Sequence, residues 1–412
     1  MAAPYLDLNL NLDKTQEMQR DLVHDFARDV LRPVSLELDK LDPEDVIARD
    51  SILWDALKKG YEIGLHKILI PEIYGGGGFS PLEVHMLFEE IGWGSVDFWI
   101  AFGVACFPAF LASMVPTKYL VDTFIVPFCE DKEAKIIGCW AITEPDHGSD
   151  TLAPFTEQFS RPECAGSVRA KLDGDEWVIN GTKAAWVSMG TVATQAAVYL
   201  TIDPEMGMAG GGICIVPLDL PGVSRGKPLN KLGQRALNQG EIYFDEVRVP
   251  RENMLVDQES YEALLDITLA TANASMGAAF TGLARACFEE AVAYCKERVQ
   301  GGKKLIEHQM VQFKLFHMFK LVEASRSLSR AALEFNFSTN PPYTQYSIAS
   351  KVFCTQAAFE VANEAVQLFG GHGVSKESTI EKFFRDARAG MIEDGSNDFL
   401  ALVAADAILK EF

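Results

Sequence analysis

The sequence is poor in positive charge. Its 412 residues contain 37 Lys and Arg against 58 Asp and Glu, a formal net charge of −21, and no run of Lys or Arg occurs. Because nucleic acids and anionic membranes attract basic surfaces, we expect neither as a partner. The chain also lacks an uninterrupted run of about 18 apolar residues, so no membrane-spanning helix is predicted.

The eight cysteines show no CxxC spacing, and His147 and His372 have no partner at metal-ligand spacing, so no metal site is predicted. The N-terminal stretch MAAPYLDLNLNLDK has no basic region and no apolar run, and its acidic residues argue against a mitochondrial presequence. We therefore expect buried, reduced thiols and a cytoplasmic protein.

Residues 1–136 are predicted to form an N-terminal all-helical domain, one of two or three domains expected from the length. Asp13 and Gln16 match a capping box. Apolar residues follow at four-residue intervals, which predicts an amphipathic helix: Met18, Leu22, Phe26 and Val30. Pro33 is expected to interrupt or kink this helix.

Residues 137–250 have the pattern of strands. Short apolar or alternating runs such as AAVYLTI and GICIVPL lie between clusters of Gly, Pro and Asp. Asn180-Gly181 predicts a two-residue hairpin turn. We expect a middle domain built as an antiparallel β-barrel or sandwich.

Residues 251–412 return to long helices. Apolar stripes at helical spacing begin at Val311 and Phe353, and the stretch ATANASMGAA at 270–279 consists of residues small enough for close helix contact. Four long helices with short links predict a four-helix bundle. The fold class is therefore α+β, with helical, β and helical domains in that order.

Residues 139–150, CWAITEPDHGSD, combine several devices for binding a heterocycle and its phosphates. Trp140 can lie against a flat ring, and the backbone from Ala141 to Thr143 can hydrogen-bond the edge of that ring. Gly148 and Ser149 can bring amides and a hydroxyl close to a pyrophosphate. A buried tryptophan is more often part of a hydrophobic core than of a cofactor site. The motif therefore indicates a cofactor site only together with the segments that accompany it.

Four further segments follow: INGTKAAWVS at 179–188, ERVQGGKKLIEHQ at 297–309, QLFGGHG at 367–373 and RDARAGMIEDGSND at 385–398. In this order and at these separations, the five segments resemble the acyl-CoA dehydrogenase family of FAD-dependent flavoproteins over nearly the whole chain. The resemblance implies FAD between the β-domain and the bundle, an acyl-CoA substrate, an electron-transferring flavoprotein as electron acceptor, and a homotetramer.

The resemblance also implies two groups of FAD-binding residues. The first holds the flavin ring and its phosphates: Trp140, Ile142, Thr143, Gly148, Ser149, Trp186, Val187 and Ser188. The second contacts the pyrophosphate and adenosine, partly across a subunit boundary: Arg298, Gln300, His308, Gln309, Gln367, Gly370, Gly371, Ser396 and Asp398. Without the accompanying motifs, Arg298 would be interpreted as a solvent-exposed charge on a helix. Gly370 and Gly371 would be interpreted as a helix C-cap.

Several positions depart from the usual family pattern. The spacing from Lys183 to Trp186 is one residue longer than in many members, and Gly301-Gly302 replaces a usual Phe-Gly. An arginine that many members carry on the small-residue helix is replaced by Asn273, so the usual CoA contact is absent. Ser149, Asn273 and Gly395 are the predicted substrate contacts.

The implied reaction is dehydrogenation of an acyl-CoA thioester, in which a carboxylate removes a carbon-bound proton and flavin N5 receives a hydride. Most members use a glutamate before the glycine of the 392–396 segment, where this chain has the shorter Asp394. Asp97, a charge in the apolar stretch SVDFWIAFGV, is the other candidate base. Its alternative interpretation is a first-turn acid favoured by the helix dipole behind Ser95.

A displaced aspartate base is expected of members that oxidise alicyclic esters such as cyclohexane- or cyclohexene-carboxyl-CoA, so a cyclic acyl-CoA is the predicted substrate. Two other functions stay open. A nitroalkane-oxidase-like flavoenzyme would use an aspartate base and release hydrogen peroxide without CoA. A non-catalytic, DNA-associated member would need a basic face, which the net charge opposes.

Overall fold

The computed structural model describes residues 12–411, and its first part is helical. Most of the N-terminal stretch that argued against a presequence lies outside these residues. The helices of this part are α1 Lys14–Phe26, α2 Arg32–Leu38, α3 Pro43–Val46, α4 Ile52–Glu62, α5 Pro81–Gly94, α6 Val96–Met114, α7 Lys118–Leu120 and α8 Val126–Glu130.

The capping box at Asp13 and Gln16 is confirmed, because each backbone N–H donates to the other residue's side chain. The predicted apolar stripe is wrong: Met18 is 72 % exposed and Leu22 is 56 % exposed. The row that faces the core has the same four-residue spacing but lies one position further along the chain. The buried residues are Val23, Ala27 and Leu31. A π-helical turn at Ala27–Leu31 carries the helix past Pro33 into α2.

Helix α6 and a long helix at Tyr261–Glu297 are each long and apolar enough to cross a membrane. In the most apolar 18-residue stretch of each helix, however, most residues are buried inside the protein: 83 % in α6 and 78 % in the helix at Tyr261–Glu297. This burial is typical of core helices, which pass the same test of length and hydropathy.

The middle part is a mixed sheet, so the predicted antiparallel architecture is wrong. Its strands are β1 Gly138–Ala141, β2 Arg169–Asp173, β3 Glu176–Lys183, β4 Gln195–Thr201, β5 Gly211–Pro217, β6 Val223–Arg225, β7 Ile242–Pro250 and β8 Met254–Val256. The order is β6-β7-β3-β2-β4-β5-β8, with β1 paired to β4. Strand β4 runs parallel to both β1 and β2, and the other pairs are antiparallel. Over the part of the chain that the structure describes, this path has two ends and does not form the predicted closed barrel.

Asn180-Gly181 lies inside β3, opposite a β-bulge in which Asp245 and Glu246 of β7 face Asn180, and not at the predicted hairpin turn. Gly181 has φ +130° at an irregularity in the β3–β7 register, and the Asn180 side chain bonds to Glu246 of β7. A bulge requires the same unusual backbone angles as a tight turn, so the dipeptide alone cannot separate the two. The hairpin between β2 and β3 instead turns at Gly174, φ +64°.

The last part contains α9 Tyr261–Glu297, the hairpin of β9 Val299–Gln300 and β10 Lys303–Lys304, α10 Gln309–Phe337, α11 Thr344–Phe369, α12 Thr379–Gly390 and α13 Asn397–Glu411. Three helices exceed 25 residues where four were predicted, and α9 also packs against α5. The small residues permit close contact, as expected: a Cβ on Gly277 of α9 would lie 2.2 Å from Ser350 Oγ of α11.

Candidate functional site

Trp140 lies at the contact between the sheet and helix α6. Its ring is 7 % exposed and stacks on Phe107, with ring centroids 4.8 Å apart and an interplanar angle of 5°. Strand β1 therefore presents an aromatic pair beside the loop that follows it.

A buried ion pair fixes the backbone of that loop. Lys183 Nζ donates to the Ile142 carbonyl at 2.9 Å and to Glu144 Oε1 at 2.8 Å, and the Thr143 carbonyl accepts from the Ala184 N–H at 2.9 Å. Burial opposes ionisation of Glu144, but the Lys183 ammonium lowers the pKa of this carboxyl to about 2. The backbone of residues 142–143 is thus held by a charged anchor beneath it.

The next turn is open to solvent at Gly148, where an added Cβ would meet nothing within 4 Å. Asp150 shapes the turn by accepting from the Gly148 N–H at 2.7 Å and pairing with His147 Nδ1 at 2.7 Å. Ser149 Oγ accepts from the backbone N–H of Ser396 at 3.0 Å. This bond joins the loop after β1 to the turn that carries Asp394.

Asp394 is a half-buried residue in a left-handed conformation, φ +48°, followed by Gly395 at φ +96°. Lys351 Nζ, buried in α11, donates to the Gly395 carbonyl at 2.6 Å and to Asn397 Oδ1 at 2.8 Å. Burial raises the pKa of Asp394 to about 6, with Lys351 acting in the opposite direction. The turn therefore presents a carboxyl that can hold or release a proton near neutral pH.

Asp97 is fully engaged elsewhere in the core. Its carboxylate accepts from Ser35 Oγ at 3.2 Å, Ser95 Oγ at 2.9 Å, the Ala236 N–H at 3.2 Å and Lys382 Nζ at 3.1 Å. Burial opposes its ionisation, but the Lys382 ammonium and the Ser95 hydroxyl lower the pKa of Asp97. A carboxylate with its oxygens occupied is a poor proton acceptor, so the geometry favours the first-turn structural acid and not the catalytic base.

Trp186 stands on the surface with 59 % of its area exposed, whereas Val187 beside it is buried. Gln239 Nε2 holds the segment by donating to Ser188 Oγ at 2.9 Å and to the Trp186 carbonyl at 3.2 Å. The backbone is thus fixed while the indole ring has a free face. The one-residue longer spacing after Lys183 is accommodated without burying this tryptophan.

Arg298 and the β9–β10 hairpin form an exposed projection after α9. Gly301 and Gly302 both have positive φ, +60° and +81°, as a tight two-residue hairpin turn requires. His308 Nε2 donates to the Gln300 carbonyl at 2.9 Å, and Gln309 begins α10 as an exposed residue.

The loop after α11 lies beside the end of α9. The rings of Phe369 and Tyr294 stack with their centroids 4.1 Å apart. Tyr294 precedes Arg298 by four residues. Gln367, Gly370 and Gly371 are exposed, and added Cβ atoms on the two glycines would meet none of the described residues within 4 Å. The structure therefore brings the predicted residues of 298–309 and 367–371 to one end of the bundle.

Ser396 and Asp398, predicted with the second group, lie instead with the first. Ser396 caps α13 and bonds to Ser149, and Asp398 is exposed in the first turn of that helix. Sixteen residues of α11 separate Lys351 from Gln367, about 24 Å at 1.5 Å per residue. The two clusters thus occupy opposite ends of one helix.

Asn273 does not face open space. It is fully buried in α9, where its Nδ2 donates to the Leu269 carbonyl at 2.9 Å. Over residues 12–411, its Oδ1 has no hydrogen-bond partner. The predicted substrate contact is therefore not supported by the side chain's position, whereas Gly395 and Ser149 both lie in the turn region.

Sequence reasoning missed the residues that support the site from behind. Lys351 interrupts the apolar helical stretch SIASKVF, a signal for a buried functional charge that was available. Glu393, next to Asp394, accepts from Gln234 Nε2 at 3.0 Å. The contributions of Phe107, Gln234 and Gln239 depend on long-range packing, and no local pattern announces them.

The exposed residues fit a flavin dinucleotide. Trp186 offers a free aromatic face, Gly148, Gly370 and Gly371 leave room for close backbone approach, and Arg298 is an exposed cation suited to phosphate. These groups are exposed to solvent, as a binding site requires.

Comparison with known proteins agrees with this chemistry. Three family models match: the N-terminal domain of acyl-CoA dehydrogenase at residues 13–113, the middle domain at 139–247 and the C-terminal domain at 266–409. Bovine short-chain specific acyl-CoA dehydrogenase is 30 % identical, over 98 % of this chain and 92 % of its own. Cyclohex-1-ene-1-carbonyl-CoA dehydrogenase of Geobacter metallireducens is 31 % identical, over 97 % and 99 %.

Solved structures show the same fold. Butyryl-CoA dehydrogenase of Megasphaera elsdenii aligns with a TM-score of 0.85 and 27 % identity, over 98 % of this chain and all of the other. A chain from the study of the electron transferring flavoprotein of Acidaminococcus fermentans gives a TM-score of 0.85 and 28 % identity at the same coverage. The chain therefore belongs to the acyl-CoA dehydrogenase family of FAD-dependent oxidoreductases.

Proposed function

We propose that this protein dehydrogenates an acyl-CoA thioester and that Asp394 is the base that removes the α-proton. The observation that carries the proposal is the position of Asp394 in a turn that Lys351 supports from below and Ser149 joins to the flavin loop. A base must be ionised before reaction yet able to keep the proton it takes. A carboxyl whose pKa is raised to about 6 meets both demands near neutral pH.

Bound FAD supplies a hydride acceptor at its N5 atom. The protein's proposed contacts to the flavin ring and its phosphates are the backbone at Ile142 and Thr143 and the hydroxyl of Ser149. Trp186 is the proposed ring cover, with Val187 and Ser188 fixing its backbone. The buried pair of Trp140 and Phe107 supports the ring site from the core.

We propose that Arg298, Gln300, His308, Gln309, Gln367, Gly370 and Gly371 bind the adenosine half of FAD across a subunit boundary. The separation of about 24 Å along α11 supports this division, because one end of the chain would serve its own flavin ring and the other a neighbour's nucleotide. Ser396 and Asp398 would then contact the nucleotide from the ring side. A homotetramer is the proposed assembly.

The proposed substrate is an alicyclic acyl-CoA. The relative from Geobacter metallireducens carries the name of a cyclohexene-carbonyl-CoA dehydrogenase. Asp394 is shorter than glutamate and must approach its substrate more closely. An electron-transferring flavoprotein is the proposed acceptor. The eight unpaired cysteines support a cytoplasmic location.

The test is bleaching of the enzyme-bound flavin by straight, branched, aromatic and alicyclic CoA thioesters, with a nitroalkane in parallel. We expect the purified protein to be yellow, to release FAD and not FMN on denaturation, and to be bleached fastest by a ring ester. Faster reduction by a straight-chain ester would overturn the alicyclic assignment. Reduction by the nitroalkane alone, with peroxide release, would favour the oxidase function instead.

A further inference from the structure

Two residues beside the site share an uncommon backbone conformation. Gln234 has φ +50° and Asp394 has φ +48°, two of six non-glycine residues with positive φ in the part of the chain that is described. They are linked through Glu393, whose Oε2 accepts from Gln234 Nε2 at 3.0 Å. Such conformations persist where the surroundings hold them, and they concentrate at functional sites.

A buried cluster of charges holds Gln234 in place. Its backbone N–H donates to Asp386 Oδ1 at 2.5 Å, and the side chain is 1 % exposed. Asp386 in turn pairs with Lys382 at 2.5 Å, and Lys382 pairs with Asp97 at 3.1 Å. Gln234, which donates to Glu393, is therefore held by Asp386 of α12 and, through Lys382, by Asp97 of α6. It stays in place if the Glu393 carboxylate moves.

The charges around Glu393 come from every element that packs against it. Asp394 lies next to it in the same turn, Lys351 faces it from α11, and Lys231 faces it from the segment that leads to Gln234. Beyond Lys231 lie the charges of Asp97, Lys382 and Asp386. Burial raises the pKa of Glu393 to about 7, with Gln234 and Lys231 opposing and Asp394 adding to the rise. Burial also lowers the pKa of both lysines to about 8.

We propose that Glu393, fixed by Gln234, is a positioning residue that acts on the base Asp394 through its charge, so that the two adjacent carboxylates titrate as a unit. This inference rests on the proposed role of Asp394. Two neighbouring carboxylates in a buried site resist simultaneous ionisation, so an ionised Glu393 makes Asp394 a stronger base. The residue touches neither substrate nor cofactor in this scheme, and its effect reaches the reaction only through Asp394.

The test compares Glu393→Gln with the wild type in single-turnover flavin reduction as a function of pH. Glutamine keeps the shape and the acceptor for Gln234 but removes the charge. We expect the midpoint of the rise in rate with pH to fall by about half to one pH unit. Glu393→Ala should shift the midpoint in the same direction. Glu377→Gln removes an equal charge from an exposed position and should leave the midpoint unchanged.

A second measurement needs no catalysis. A carboxyl with a raised pKa favours its neutral form in the folded state, so Glu393 should make the FAD-loaded protein lose thermal stability as pH rises from about 4.5 to 7. Glu393→Gln should flatten this fall, and Glu377→Gln should not.

Unchanged midpoint and unchanged thermal slope in Glu393→Gln would overturn the proposal. A shift in Glu393→Ala that Glu393→Gln fully restores would overturn it too, because shape and not charge would then matter. Asp394→Asn separates this inference from the proposed function. If Asp394→Asn still reduces flavin at the wild-type rate, the base assignment itself fails. If Asp394→Asn is inactive while Glu393→Gln behaves as wild type, only the role of Glu393 fails.

Discussion

Ser149 Oγ accepts a hydrogen bond from the Ser396 backbone N–H at 3.0 Å, across 247 positions of sequence. The bond connects the loop after β1 to the turn that carries Asp394. One hydroxyl thus fixes the distance between the proposed flavin contacts and the proposed base.

Ser149→Ala should weaken both FAD and acyl-CoA binding by about 1 kcal/mol each, roughly fivefold in Kd, because one hydroxyl partner is lost. Equilibrium titration of the apoprotein with FAD and of the FAD-loaded protein with a CoA thioester measures the two effects. Ser51→Ala is the matched control, since Ser51 Oγ also accepts a backbone N–H, from Leu53, far from the site. Unchanged affinity for both ligands in Ser149→Ala would remove this residue from the site.

Asp394→Asn should slow flavin reduction by about 10² to 10⁴-fold, the usual contribution of a general base. Its folding should be little affected, because Asp394 makes no ion pair with the described residues 12–411. Asp97→Asn should do the reverse: it breaks a buried ion pair with Lys382 and should cost roughly 3–5 kcal/mol of unfolding free energy. Single-turnover reduction and thermal unfolding, measured on both variants, distinguish the two aspartates. Retained reduction in Asp394→Asn with loss in Asp97→Asn would place the base on α6.

Lys351→Met should remove a specific pH dependence of stability. Burial lowers the pKa of Lys351 from 10.5 to about 8, so between these values the unfolded chain binds more protons than the folded one. The wild type should therefore gain stability from this group as pH rises from about 8 to 10.5, and Lys351→Met should lose that gain.

The same substitution leaves the Gly395 carbonyl and Asn397 without their buried donor, at a cost of about 1–3 kcal/mol in unfolding free energy. Without the cation, the pKa of Asp394 should rise further and flavin reduction at neutral pH should slow. Lys320→Met, on an exposed face of α10, is the control. An identical stability profile in Lys351→Met and the wild type would contradict this account.

Arg298→Ala should weaken FAD retention and subunit assembly together, because the residue is proposed to reach a neighbour's pyrophosphate. FAD content after gel filtration and the mass by light scattering are the measurements. Arg20→Ala, at a partly exposed arginine of α1, should change neither. Full FAD content in an intact oligomer of Arg298→Ala would refute the cross-subunit site.

The features predicted correctly from the sequence are those that local chemistry decides. The capping box from Asp13 to Gln16 spans four residues, and the alternation between helical and strand patterns needs windows of about ten. The parallel pairing of β1 with β4 could not be predicted, because it joins Trp140 to Ala197 across the fold. The stripe at Met18 failed for a different reason: the buried row of Val23, Ala27 and Leu31 has the same spacing, and only the packing of α1 shows which row faces the core.

The candidate site divides in the same way. Residues 139–150 and 392–396 are contiguous and could be identified from the family resemblance. Asp97 was ambiguous in the sequence, because a charge in an apolar helix can be either functional or paired. Its partners Ser35, Ala236 and Lys382 come from three distant segments, so only the folded structure resolves the ambiguity.

The contact of α9 with α11 at Gly277 has a consequence for how this chain tolerates mutation. A Cβ on Gly277 would lie 2.2 Å from the hydroxyl of Ser350, which directly precedes Lys351. A methyl group at position 277 therefore requires either that this hydroxyl turns away or that α11 shifts, and a shift would move the lysine that supports the Gly395 carbonyl. A substitution at a glycine between two helices would then alter the turn that carries the proposed base.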